Sequence, residues 1–164
     1  MIIMPTNKPK YYWHIHHEIL CEGTYDISER IGYIKKYKRD IRTRLHLMTP
    51  VKHPEKLPLR FRRAATACVK ADAAYENASA SATKAYDIHT KALSAAIAFD
   101  AYTETLADYV KVFAVYEQAR AACAKASITY IKALTTCAAQ LEKLHKKEHP
   151  NCPWNGKTIF PKRQ

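Results

Sequence analysis

Glycine is nearly missing from this chain, with three in 164 residues, at positions 23, 32 and 156. Glycine-rich phosphate loops and nucleophile elbows need glycines at fixed spacing, and neither pattern occurs. No zincin motif occurs either, and the carboxylates are scattered, so the reading is of a protein that is not an enzyme. From Leu59 to His149 there is neither glycine nor proline. These are the two strongest breakers of regular structure, and their absence favours uninterrupted helix. No apolar run approaches the roughly 20 residues of a membrane span, so no membrane association is expected. Met1-Ile2-Ile3-Met4 is too short for the core of a secretory signal, and Pro5 follows at once. The five cysteines are odd in number and lack a small-scaffold spacing. They read as reduced thiols of an intracellular protein.

The positive charge is plentiful and uneven. The net charge is +12. Residues 1–63 carry 14 Lys and Arg against 6 Asp and Glu, residues 64–144 carry 8 against 8, and residues 145–164 carry 5 against 1. A basic surface favours polyanions such as nucleic acid, anionic membranes or acidic proteins, without choosing among them. The hydrophobic share is 48%, but much of it is alanine, which leaves material for only a modest core.

Four segments follow from the order of the residues. Residues 1–49 form a basic head. Its first twelve residues read as a loose lead-in. Trp13 to Glu22 alternates well enough for a short strand, with a helical turn equally allowed. Asp26 or Ser28 can cap a helix through Glu29–Lys38, and Asp40 can cap a second through Ile41–Met48. Ile27, Ile31 and Ile34 share one face and can meet Leu45 and Met48, which predicts a helical hairpin. Residues 50–58 hold Pro50, Pro54 and Pro58 and read as a stiff linker. Residues 59–149 are the helical, heptad-bearing region, and residues 150–164 a short irregular tail. There Asn155-Gly156 marks a tight turn, and Thr158-Ile159-Phe160 is a brief strand or an apolar plug onto the head.

The fold class is therefore mainly α: a small basic helical head, one very long Ala/Tyr-rich helix and a short tail. As one helix, about 90 residues would extend roughly 135 Å. Tyr102, Tyr109, Tyr116, Cys123, Tyr130, Cys137 and Leu144 share one heptad position. Leu106, Phe113, Leu134 and Leu141 follow four residues later, with Arg120 and Ser127 as exceptions. Alternation of four and three is a coiled-coil seam. Upstream, Tyr75, Tyr86 and Ile97 are spaced by eleven, which favours straighter packing. Such a helix needs a partner, either another copy or its own chain folded back. Asn77–Ser81 and Ala98–Thr103 are the weakest points for a fold-back, but neither carries a turn signal, so a continuous helix and a homo-oligomer are favoured. The seam expected to mediate self-association is Tyr102, Leu106, Tyr109, Phe113, Tyr116, Tyr130, Leu134 and Leu141. Cys123 and Cys137 replace tyrosines on that seam and read as packed thiols, as does Cys68.

Three features carry a resemblance. The first is Trp13 and His16-His17 with Arg30-Ile31, Tyr33-Ile34-Lys35, Arg44-Leu45-His46-Leu47-Met48 and Pro50-Val51-Lys52. The second is the repeated Ala-Tyr pair at 74–75, 85–86 and 101–102. The third is the ending Cys152-Pro153-Trp154-Asn155-Gly156-Lys157-Thr158-Ile159-Phe160-Pro161. Together they resemble a group of uncharacterised proteins from tailed phages and environmental viral sequences, with Ala-Tyr heptads and a Cys-Pro-x-Cys-Pro-Trp-like tail. The resemblance implies a phage origin, hence the host cytoplasm or the virion, and supplies no function. Here His149 stands where those proteins have the first cysteine. Both residue types ligate zinc, so the exchange is compatible with metal and speaks against a disulfide.

Two binding constellations stand against blander readings. Zinc is the one cofactor suggested, through His17, Cys21, His149 and Cys152, which requires the two ends of the chain to meet. The blander reading is of solvated histidines and a packed thiol. Nucleic-acid binding would use Lys35, Lys36, Lys38, Arg39, Arg42 and Arg44 on phosphates, with Tyr33 and Tyr37 for stacking. Its blander counterpart is a solvated basic face. The leading reading is a phage accessory or structural protein acting by self-association and partner binding. The alternatives are a nucleic-acid-binding regulator and an inhibitor of a host protein.

Overall fold

The computed structural model describes residues 8–94 and 99–160, with the side chains of 99–101 excepted. The elements are β1 (Lys10–Trp13), β2 (Cys21–Thr24), α1 (Ser28–Tyr37), α2 (Ile41–Leu47), a 3₁₀ turn at Pro54–Lys56, α3 (Leu59–Ser94) and α4 (Phe99–Glu148). The chain divides into two compact units, one of residues 70–128 and one built from residues 5–69 and 129–164. Among the described residues no helix is long and apolar enough to cross a membrane.

The 5–69/129–164 unit is organised around a small antiparallel sheet. β1 pairs with β2 from Lys10 opposite Thr24 to Trp13 opposite Cys21. The strand therefore lies earlier than the 13–22 alternation suggested, and residues 14–20 are the loop between the strands. Strand alternation sends successive β1 side chains to opposite faces. Tyr11 and Trp13 join a core with Leu20, Cys21, Val51, Leu57, Phe61, Ala65, Cys137 and Leu141. Tyr12 turns to the other face, against Ile15, Ile27, Ile31, Ile34, Leu45 and Met48. The expected isoleucine face of α1 thus packs on α2 as the spacing required.

Residues 50–58 are not a spacer. The Trp13 amide donates to the Thr49 carbonyl at 2.8 Å, and the Val51 amide to the Tyr11 carbonyl at 2.9 Å. Val51 and Leu57 are buried in the core. The prolines fit because Pro50 sits at an isolated bridge, opposite Tyr12, where no amide is needed. The expected Asp40 cap does not form: Asp40 adopts a left-handed φ of 55° and makes no capping bond. The expected cap of α1 does not form either: α1 begins at Ser28 with Ile27 in the cap position, and Asp26, one residue earlier, accepts the Ser28 amide at 2.8 Å in the turn before it.

In the 70–128 unit the helical region folds back. Tyr75 faces Tyr116, Tyr86 faces Tyr109, and His89 faces Tyr102, with ring centroids 5.6, 5.9 and 5.1 Å apart. Partners rise in α3 as they fall in α4, so the helices are antiparallel. The folded-back alternative therefore holds over the favoured continuous helix. Asn77–Ser81 stays helical within α3. Ala98 and Ile97 lie outside the described residues, while Thr103 is within α4.

The expected self-association seam is occupied within the chain. Tyr102, Tyr109 and Tyr116 meet α3 as above, and Tyr130 packs 5.9 Å from Phe61. Leu134 and Leu141 belong to the core of the other unit. The physical reason is alanine: small side chains let two helices of one chain approach closely. Only Leu106 and Phe113 remain substantially exposed from that set, at 37% and 42%.

Phe61 is fully buried, and truncation leaves a cavity that the helix base cannot close. Phe61→Ala should lower unfolding free energy by about 3–5 kcal/mol, whereas Leu106→Ala should cost about 1 kcal/mol or less. Urea titration followed by circular dichroism checks both.

Candidate functional site

All the excess positive charge falls in one unit. Residues 5–69 and 129–164 hold 21 Lys and Arg against 8 Asp and Glu, and residues 70–128 hold 6 against 7. On the α1–α2 hairpin, Lys35, Lys36, Arg39 and Arg42 are exposed. Tyr33 and Tyr37, one helical turn apart, stand 42% and 62% exposed, with rings 5.2 Å apart. Cations surround the pair. The Arg30 guanidinium and the Lys38 ammonium each lie 5.2 Å from the Tyr33 ring, and the Lys36 ammonium lies 4.9 Å from the Tyr37 ring.

Arg44 is a correction to the expected set. Its Nε donates to the Arg39 carbonyl at 2.9 Å, and its guanidinium approaches His17 Nδ1 at 3.3 Å and lies 4.6 Å from the Phe160 ring. It joins α2 to the tail rather than facing a ligand. The tail is the apolar plug expected from its sequence: Ile159 is buried, and its amide donates to the His17 carbonyl at 3.2 Å. Asn155 closes the turn by accepting the Lys157 and Thr158 amides, and Gly156 supplies the φ of 91°. A second cationic place was not anticipated. Arg60, Arg63 and Lys132 rim a groove of about 510 Å³ floored by Ala64, Ala67 and Ala133. The three-residue spacing of Arg60 and Arg63 was the signal for it, because that spacing shares a helix face.

The second constellation is buried. His14 follows β1 in the left-handed region, at φ 54°, which histidine tolerates better than most residues and which turns its ring inward. Its Nε2 lies 3.0 Å from His145 Nε2 and 3.4 Å from Cys152 Sγ. The three ligand-type atoms all lie within 4.8 Å of one another. His14 and His145 are 3% and 4% exposed, and Cys152 is half-buried. Aromatic rings wall the cluster, with Trp13 5.1 Å from His145 and Trp154 5.3 Å from His14. Burial, reinforced by His145 and His149, pushes the His14 imidazole down to about 3. Burial, with His149 beside it, pushes His145 down to about 4. Both rings are therefore neutral at physiological pH. Burial raises the Cys152 thiol.

Of the four residues expected for zinc, only Cys152 is in this cluster, and His17, Cys21 and His149 are not. The two ends of the chain do meet. His149 stacks on His145 at 5.6 Å, but its Nε2 pairs with Thr49 Oγ1 at 3.1 Å. His17 faces Arg44 and Glu18. Cys21 is a core thiol in β2, raised well above its ordinary value by burial. His14 and His145 stand with Cys152 where His17, Cys21 and His149 were expected. The sequence signal was His145, one turn before His149; nothing in the sequence marks the left-handed φ that brings His14 out of strand alternation and against it.

Beside the cluster, Glu148 accepts the Trp13 indole N–H at 2.9 Å and the Lys52 and His53 amides at 3.0 and 3.2 Å. Burial alone would raise this carboxyl, but those three donors outweigh it and hold the group below its ordinary 4.5. Glu148→Gln leaves at least one donor unmet and should cost about 1–2 kcal/mol at pH 7. The sign follows from linkage: a depressed native pKa adds stability above the unfolded value and loses it as pH falls through the native one. The difference between wild type and Glu148→Gln should therefore shrink in acid, which urea titrations at pH 7 and pH 3 measure. The chain matches no protein-family model, no curated protein and no solved structure.

Proposed function

We propose that this chain is a non-enzymatic, phage-type accessory protein that acts by binding nucleic acid through its 5–69/129–164 unit. The observation that carries the reading is the exposed Tyr33–Tyr37 pair set among cations on the unit that holds the excess charge. Every base has a π-face, so stacked tyrosines beside phosphate-binding lysines and arginines favour single strands without sequence preference. In a duplex the base faces are hidden, and only the phosphate contacts remain. The four exposed cations Lys35, Lys36, Arg39 and Arg42 take the phosphates, and neutralised phosphates release counterions, which makes binding fall with salt.

A second reading, self-association through the 70–128 unit, rests on Leu106, Val110 and Phe113, which leave an exposed apolar stripe at spacings of four and three on α4. A solution mass of one chain at all concentrations would remove it.

Binding of fluorescent oligothymidine at 50 mM salt tests the leading reading. Tyr33→Ala and Tyr37→Ala should each weaken binding about tenfold, from a stacking energy of about 1–3 kcal/mol. Replacing Lys35, Lys36, Arg39 and Arg42 by glutamine should flatten the salt slope by about 3. Absence of binding at low salt, or a slope unchanged in the fourfold variant, contradicts the reading.

A further inference from the structure

We infer that His14, His145 and Cys152 form a zinc site that fastens the end of β1 to the C-terminal end of α4 and the tail. The ligand atoms are His14 Nε2, His145 Nε2 and the Cys152 thiolate. Zinc bonds of about 2.0–2.1 Å to nitrogen and about 2.3 Å to sulfur place tetrahedral ligands about 3.3 Å (N to N) and about 3.5 Å (N to S) apart. The two measured edges are 3.0 and 3.4 Å. The third, from His145 to Cys152, is at most 4.8 Å and needs to close by about an ångström or so. Two imidazoles and one thiolate are a donor set suited to zinc, whereas calcium and magnesium take oxygen.

The surroundings point the same way. Without a cation, the facing Nε2 atoms and the thiol must share protons among three atoms whose lone pairs converge. Among the described residues, His14 Nδ1 and Trp154 Nε1 are buried beside them with no hydrogen-bond partner. Buried polar atoms left in that state are costly and uncommon, and a bound water or ion is among the explanations for them. Binding takes the proton from the Cys152 Sγ and releases it to solvent, and no electron is transferred. His149, engaged by Thr49, stays outside the set. The fourth position goes to a water on the Cys152 side, where the cluster reaches the surface. This inference is independent of nucleic-acid binding.

The test uses the untagged full-length chain purified without chelators. Elemental analysis and native mass spectrometry should find about one zinc per chain. Cobalt added after chelation should give a thiolate-to-cobalt charge-transfer band with tetrahedral visible absorption. Cys152→Ser should abolish the band and reduce zinc at least tenfold, while His46→Ala and Cys123→Ser leave both intact. If Cys152→Ser does not fold, mass-mapped alkylation of wild type decides: zinc should protect Cys152, with the label returning after chelation. Less than a tenth of an equivalent of zinc with no cobalt band overturns the inference. Zinc that binds without a thiolate band, or without protecting Cys152, overturns the ligand set.

Discussion

Trp13 and His14, the last residue of one strand and the first of the next loop, are held against the final turns of α4. The indole ring packs on His145 while its N–H is fixed by Glu148, and the same carboxylate takes the amides of Lys52 and His53. One acidic side chain thus gathers three chain segments that lie far apart in sequence. Without that gathering, β1 would have no buried face, the 49–51 segment no edge to pair with, and the tail no surface for Ile159. A two-stranded hairpin is marginal in water by itself. Here its two faces are covered by different helical pairs, so it behaves as the centre of the unit.

The long helices solve a different problem with the same poverty of large apolar residues. Alanine supplies helix propensity but little burial per residue. The tyrosines compensate by stacking across the two helices, and the phenol groups of Tyr75 and Tyr116 meet at 3.4 Å. Within the 5–69/129–164 unit, α3 and α4 contribute a more apolar set, Phe61, Cys137 and Leu141, with Tyr130 packed against them. The phenol of Tyr130 donates to the Cys21 carbonyl at 2.8 Å, joining α4 to β2. The phenol bond and the Trp13–Glu148 bond both run from α4 to the hairpin, so the placement of the basic surface depends on α4.

The helical periodicity was legible because it repeats: the Ile27 series meets α2 as its spacing implied, and the Tyr102 series does form a packed seam, though against α3 of the same chain and not another copy. That α3 and α4 pair antiparallel was not legible, since Gly and Pro are the usual signals of a fold-back and neither is present. Antiparallel pairing came instead from side chains whose match is only visible in space, such as His89 with Tyr102. β1 was hidden because four residues give too short an alternation. With β1 at Lys10–Trp13, alternation buries Trp13, and the left-handed φ of His14 just past the strand brings its ring against His145 as well. Within the basic group the sequence could not separate Arg44, which is engaged by Phe160 and His17, from the exposed Arg42 two residues before it.

The central claim is that the N-terminal hairpin and the C-terminal end of α4 of one chain form a single folded unit. Nuclear Overhauser contacts of the Trp13 indole test it most directly. The structure predicts cross-peaks from the indole ring protons to the His145 ring and Leu141 methyls, unchanged on dilution. Their absence, with random-coil shifts for residues 8–24, would contradict it.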